Sequence, residues 1–222
     1  VYNFKGQTHY SMMIKKLCEY SHRTEFILTV LKNVLSDERN KQIMILAHNK
    51  SLLIYLHNAI QHRNIASVGY YIGGMKEKDL KESEGKKVII ATYAMAEEAL
   101  DIKTLSTLIM ATPRTDVTQA VGRILRVKHE RPLVVDIVDT HEIFQRQWKK
   151  RRTFYTKNKY TINQTTSGKY LSSMEKNKST EQSGNAEETI WETIFNKGKK
   201  VKEKKALKKI EKMDNPFKGN CL

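Results

Sequence analysis

The chain has 222 residues, 39% hydrophobic and 29% charged, which is enough for one core of about 150 residues plus an extension. No apolar run reaches the roughly 18 residues that a membrane-spanning helix needs, and the opening Val1-Tyr2-Asn3-Phe4-Lys5 has no signal-peptide pattern and no initiator Met, as in a fragment or processed product. A formal net charge of +16 favours polyanionic partners, nucleic acid before an acidic membrane.

The first stretch reads as helix. Ser21 is placed to cap a segment whose apolar positions Phe26, Ile27, Val30, Leu31, Val34 and Leu35 recur at helical spacing. Strand and helix signals then alternate. Ile43 to Ala47 is a short continuous apolar run, the pattern of a strand buried on both faces. Ser51 to Ile60 follows as an amphipathic helix, and Val68 to Ile72 as a second strand ending at Gly73-Gly74. A charged helix over Lys76 to Glu82 leads to Gly85. Lys87 to Ala91 is a third strand, Met95 to Leu100 a turn or short helix, and Thr107 to Ala111 a fourth strand that stops at Pro113. Leu133 to Val138 is a fifth strand, and His141 to Phe154 a closing helix rich in Arg and Lys. The fold class expected is α/β, a parallel sheet flanked by helices with right-handed crossovers.

From Asn163 the composition turns polar and aperiodic. Residues 163–188 read as a linker and residues 189–222 as a Lys-rich tail, with disorder expected over most of it. The tail holds the apolar island Thr189-Ile-Trp-Glu-Thr-Ile-Phe195. Between Lys197 and Lys212, nine lysines meet only Glu203 and Glu211, so much of the positive excess is assigned to the tail. Cys18 and Cys221 are far apart and no Cys/His set has zinc spacing. A reducing intracellular setting (cytoplasm, nucleus or a viral replication site) suits this better than a secreted one.

The most informative stretch is Gln119-Ala-Val-Gly122-Arg123-Ile-Leu-Arg126. On a helix, Gln119, Arg123 and Arg126 fall at i, i+4 and i+7 and share a face, with Gly122 beside them. Val121, Ile124 and Leu125 fall on the other side, where a core would hold them. Guanidiniums are planar, permanently charged and suited to phosphate. The same face also reads as a solvated basic surface, with Gln119 in a capping box begun by Asp116. Ligands of parallel α/β sheets bind at the carboxyl ends of strands. That singles out His48-Asn49, Gly73-Gly74-Met75, Thr92-Tyr93, Thr112-Pro113-Arg114 and Asp139-Thr140. Thr92 and Asn49 also read as helix caps, and Tyr70 and Tyr71 as sheet core.

Four segments, in order, resemble the second RecA-like lobe of superfamily 2 helicases. Ile43 to Asn49 resembles motif IV, and Tyr71-Ile-Gly-Gly-Met75 the strand and glycine turn after it. Ile89 to Ile102 resembles motif V, and Gln119 to Arg126 resembles motif VI, the Gln-x-x-Gly-Arg-x-x-Arg pattern. The resemblance covers residues 1–162, and its wording is similar to helicases of large DNA viruses and phages, including poxvirus-type transcript-release helicases.

The resemblance implies an ATP-dependent motor, with DNA the favoured nucleic acid and RNA the other option. It implies Arg126 as an arginine finger to the γ-phosphate and Arg123 beside it. Gln119, Gly122 and Asp101 would serve the nucleotide, and Thr92, Gly73, Gly74 and Asn49 the nucleic-acid backbone. No phosphate loop of the Gly-x-x-x-x-Gly-Lys-Ser/Thr type and no acidic magnesium-holding motif occurs. ATP and Mg²⁺ would therefore be held mainly by an N-terminal lobe outside this chain, and the chain alone is expected to be inactive. One departure is Ala99, where the family usually has Gly. A positive φ there would strain Ala by about 1 kcal/mol, whereas a need for a small side chain alone would be met. A non-catalytic nucleic-acid-binding or partner-docking module that kept the fold is the alternative.

Overall fold

The computed structural model describes residues 8–37, 42–98, 102–124, 129 and 132–181. It divides into two compact units, Val1–Phe154 and Tyr155–Leu222. The first unit carries the sheet. Its strands are β1 (Gln42–Ala47), β2 (Val68–Tyr71), β3 (Val88–Thr92), β4 (Leu105–Met110) and β5 (Leu133–Asp136). The helices are α1 (Tyr10–Glu19), α2 (Ser21–Leu35), α3 (Lys50–His62), α4 (Glu77–Glu84), α5 (Tyr93–Glu98), α6 (Thr118–Ile124) and α7 (Glu142–Lys157), with α8 (Ser167–Glu181) in the second unit.

All four strand pairings are parallel, in the order β2-β3-β1-β4-β5. β1 is central, and all six of its residues are buried, as its unbroken apolar run requires. α3 packs on β1, β2 and β3, α4 on β2, α5 on β1 and β3, and α6 on β4. α1 and α2 pack with α3, and α5 packs with α6. Phe144 of α7 joins Met13 and Ile14 of α1 in one apolar cluster.

The helix ends follow local chemistry. Asn49 caps α3, its side-chain oxygen accepting from the Ser51 amide at 2.8 Å. Leu52, Leu53, Leu56, Ala59 and Ile60 form the buried stripe of that helix, and Asn64 in the left-handed region (φ 49°) turns the chain out of it. The opening segment is two helices, broken at the extended Tyr20. Ser21 lies inside α2, and no side-chain cap precedes it. Gly69 of β2 sits against α4: a Cβ there would lie 2.8 Å from Ser83 Oγ and 2.9 Å from Ser83 Cα.

In the second unit, part of the expected linker is helical. Thr166 Oγ1 accepts from the Lys169 amide at 3.3 Å at the start of α8, and Tyr170 is buried. Tyr170, Leu171 and Met174 are the only large apolar side chains in the fifteen residues of this helix, too few for an apolar period, which is why composition alone gave a linker. Residues 182–222, including the rest of the tail, lie outside the described residues.

Candidate functional site

The carboxyl edge of the sheet is braced by a buried polar frame. The His48 amide donates to Thr112 Oγ1 at 3.0 Å, joining the end of β1 to the loop after β4. His48 Nε2 lies 3.0 Å from the Pro113 carbonyl, and its ring sits 4.7 Å from that of Tyr93. Covering of the ring, and next the nearby Arg114 guanidinium, push the His48 pKa below its usual value, so neutral Nε2–H is the donor to Pro113. Tyr93 is buried and its hydroxyl donates to the Thr112 carbonyl at 2.6 Å. Burial holds that phenol well above its usual pKa.

Three arginines fix the surrounding loops. Arg23 of α2 binds both Asp139 oxygens at 2.7 and 2.8 Å and the Ala111 carbonyl at 2.8 Å. Arg151 of α7 binds both Asp136 oxygens at 2.7 and 2.9 Å and donates to the Arg114 carbonyl. Arg23 and Arg151 side chains are 6% and 1% exposed, so each is a buried, bidentate charge pair rather than a surface bridge. Arg114 binds Glu97 of α5 at 2.8 and 3.0 Å and lies over the Tyr93 ring at 5.4 Å. The segment from Ala111 to Arg114 is thereby held from α2, α5, α7 and β1 together. It leads directly into α6.

The expected site residues fall into two groups along this edge. Asn49 follows β1, Thr92 ends β3 and Gly73 and Gly74 follow β2, three neighbouring strands, with Ala47 paired to Thr92 and Tyr71 to Ala91. Asn49 acts as a cap, and Thr92 Oγ1 accepts from the Met95 amide at 3.4 Å in the first turn of α5. Gly73 and Gly74 are exposed, and Gly74 has φ +88°, a conformation that favours glycine. Tyr71 is buried in the sheet, and Tyr70 stacks on His57 at 4.0 Å, so both serve packing.

The second group is on α6, across β4. The Asp116 side chain accepts from the Thr118 amide at 2.9 Å, and that bond holds its carboxyl below the usual range. Val117, Ala120 and Val121 are buried, whereas Gln119 and Gly122 are exposed. The apolar side of the helix therefore faces the core, as its spacing demands. A Cβ on Gly122 would meet no other element among the described residues within 4 Å. Arg123 has its backbone in α6; its side chain, and Ala99, Asp101, Leu125 and Arg126 as a whole, lie outside the described residues. Among the described residues no group of three His, Cys, Asp or Glu could hold a metal ion. No helix among them is long and apolar enough to cross a membrane.

Sequence reasoning flagged His48, Tyr93, Arg114 and Asp139 only by their positions after strands. Arg23 and Arg151 gave no signal, since each lies in a helix whose charges read as surface.

Comparison with known proteins finds relatives that share this part of the chain. Residues 26–128 match the helicase conserved C-terminal domain. A putative ATP-dependent RNA helicase of Acanthamoeba polyphaga mimivirus is 39% identical over 157 residues, covering 68% of this chain and 30% of the relative. A similarly named protein of African swine fever virus is 30% identical over 102 residues, covering 44% of this chain and 20% of the relative. The chain thus spans less than a third of either relative. The crystal structure of T4 UvsW superposes with a TM-score of 0.53 at 18% identity, over 69% of this chain and 36% of that one, a likeness of fold alone. The matched span runs from α2 past α6 and includes both groups of expected residues. Over residues 26–128 the chain is thus similar to the helicase conserved C-terminal domain, and its parallel sheet has the RecA-like fold.

Proposed function

We propose that this chain is the C-terminal motor lobe of an ATP-dependent helicase or translocase, completing an ATP site whose other wall is an N-terminal lobe. The observation that carries this reading is α6. It starts from a loop held by buried arginine pairs, keeps its apolar side in the core, and leaves Gln119 and Gly122 open to solvent, with no other element among the described residues within 4 Å of a Gly122 Cβ. A helix so presented suits a closing lobe. Bound ATP supplies the phosphoryl group transferred to water. Arg126 is the finger that neutralises charge developing on that group, and Arg123 stands beside it. Such guanidinium charge is worth about 10³–10⁵ in rate in phosphoryl transfer. Gln119 senses the γ-phosphate, Asp101 bonds the ribose, and Mg²⁺ falls to the other lobe.

The nucleic acid runs along the other half of the edge. Its phosphates meet the backbone of Gly73-Gly74 and the small polar side chains of Thr92 and Asn49, contacts that position a strand without reading bases. The sequence resemblance favours DNA, whereas the viral relatives are named for RNA, so both substrates belong in the test.

In the full-length protein, Arg126→Ala is expected to abolish nucleic-acid-stimulated ATP hydrolysis while leaving binding of single-stranded RNA and DNA within about threefold, against a loss of about 10³ or more in turnover. Undiminished turnover removes the finger assignment. A full-length sequence without a phosphate-binding loop removes the motor reading altogether.

A further inference from the structure

The outer face of α7 carries none of the site residues named above. Along the helix, Arg146, Lys149 and Lys150 fall within about 100° of arc, on the side opposite Phe144 and Arg151. Arg146, Lys149 and Lys150 are exposed, while Phe144 and Arg151 are buried. The buried side is anchored: Arg151 binds Asp136, Phe144 packs on Met13 and Ile14, and Gln147 donates to the Tyr10 hydroxyl at 3.2 Å. The cations therefore stand on a fixed support.

Lys149 and Lys150 have no acidic residue at i,i+4, whereas several lysines elsewhere do. On α4, Lys81 meets Glu77 at 2.8 Å, and Lys86, just beyond that helix, meets Glu82 at 3.0 Å, both at i,i+4; on α1, Lys15 meets Glu19 at 3.8 Å in the same spacing. On α7 the residues four away from Lys149 are Gln145 and Thr153, and those four away from Lys150 are Arg146 and Phe154. Neither lysine has an ion-pair partner among the described residues. Arg146 reaches only Glu142, at 3.6 Å, with both side chains largely in solvent. Arg146 and Lys150 are thus like charges at i,i+4, an arrangement that costs a helix about 0.2–0.5 kcal/mol.

We propose that this face of α7 is a second nucleic-acid contact, a short cationic track that binds the phosphate backbone of a strand without reading its bases. Three cations within one and a half turns of a helix anchored on its other side, two of them without an ion-pair partner among the described residues, suit successive phosphates of an extended polyanion. Lysines suit this role as point charges and arginine as a fork. The proposal does not depend on ATP hydrolysis, so it stands or falls separately from the motor reading.

The test uses the 222-residue chain and 20-nucleotide single-stranded RNA and DNA labelled for fluorescence anisotropy. One variant is Arg146→Gln/Lys149→Gln/Lys150→Gln. The control is Lys32→Gln/Lys81→Gln/Lys103→Gln, three exposed lysines on other elements whose loss lowers the net charge equally. Gln is a good helix former, and unchanged thermal melting by circular dichroism verifies both folds. The α7 variant should bind about tenfold more weakly at 100 mM salt, with a log–log salt slope reduced by about 2, as expected for three lost phosphate contacts. The control should stay within about twofold with its slope unchanged. Equal losses in the two triples would mean that net charge alone acts, and parent-like binding by the α7 triple would make this a solvated face; either result overturns the proposal.

Discussion

Gly69 and Gly122 are both single glycines within regular elements, yet the structure asks opposite things of them. A Cβ at Gly69 would come within 3 Å of the backbone and side chain of Ser83, so α4 would have to move off β2. Gly69→Ala is expected to lower stability by about 1–3 kcal/mol in urea denaturation. At Gly122 no atom of another element waits within 4 Å among the described residues, and the helix gains from Ala by up to about 1 kcal/mol. Gly122→Ala should therefore leave this chain as stable as the parent or slightly more so, yet reduce ATP turnover of the full-length motor if the other lobe packs there. A stability loss of more than about 1 kcal/mol at Gly122 would mean that α6 is packed within this chain. Sequence reading found Gly122 because its neighbours form a motif. It passed over Gly69, because the reason for that glycine is Ser83, fourteen residues on and on another element.

At the scale of elements, all five strands were legible. Buried parallel strands are continuous apolar runs, and Ile43 to Ala47, Val88 to Ala91 and Leu108 to Ala111 contain nothing else. Their ends shifted by one or two residues because parallel pairing, not hydrophobicity, decides where a strand stops. The break at Tyr20 and the helix α8 were not legible. The first needs only an extended φ/ψ at one residue, and the second is stabilised by a cap and one buried tyrosine. The buried arginines are the largest omission. Arg151 stands in a run of Lys149, Lys150 and Arg152 that reads as solvated, but burial reaches only the residue that faces Asp136. Its removal should be costly. Arg151→Ala removes the bidentate partner of the buried Asp136 carboxylate and is expected to cost about 3–5 kcal/mol by denaturant titration. Replacing both partners, as Arg151→Met/Asp136→Leu, should cost much less, since no charge is then left buried alone. Equal losses for the single and double variants would mean that the pair acts by shape rather than by charge. The loss also bears on the site, because Arg151 holds the Arg114 carbonyl just before α6.

For the whole molecule, the distribution of charge needs correcting. The Lys-rich tail looks like the main source of the +16. Residues 163–222, however, hold 13 lysines and 8 acids, a net +5, which leaves +11 on residues 1–162. The folded lobe is thus itself strongly basic, in keeping with a strand bound on its surface rather than captured only by a tail. Residues 182–222 alone carry ten lysines and six acids, so a chain ending at Glu181 keeps +12 of the +16. That truncated chain should bind single-stranded RNA and DNA more weakly than the full 222 residues, by about tenfold at most at 100 mM salt, because the lysines of the tail neutralise some phosphates. It should still show a clear negative dependence of log K on log salt, by roughly 0.7 for each phosphate contact that remains on the lobe. Removing Arg146, Lys149 and Lys150 in this background should then take away a larger share of the remaining slope than it does in the longer chain. A truncated chain with no measurable binding would place the nucleic-acid contact of the isolated chain in the tail and leave the lobe dependent on its missing partner.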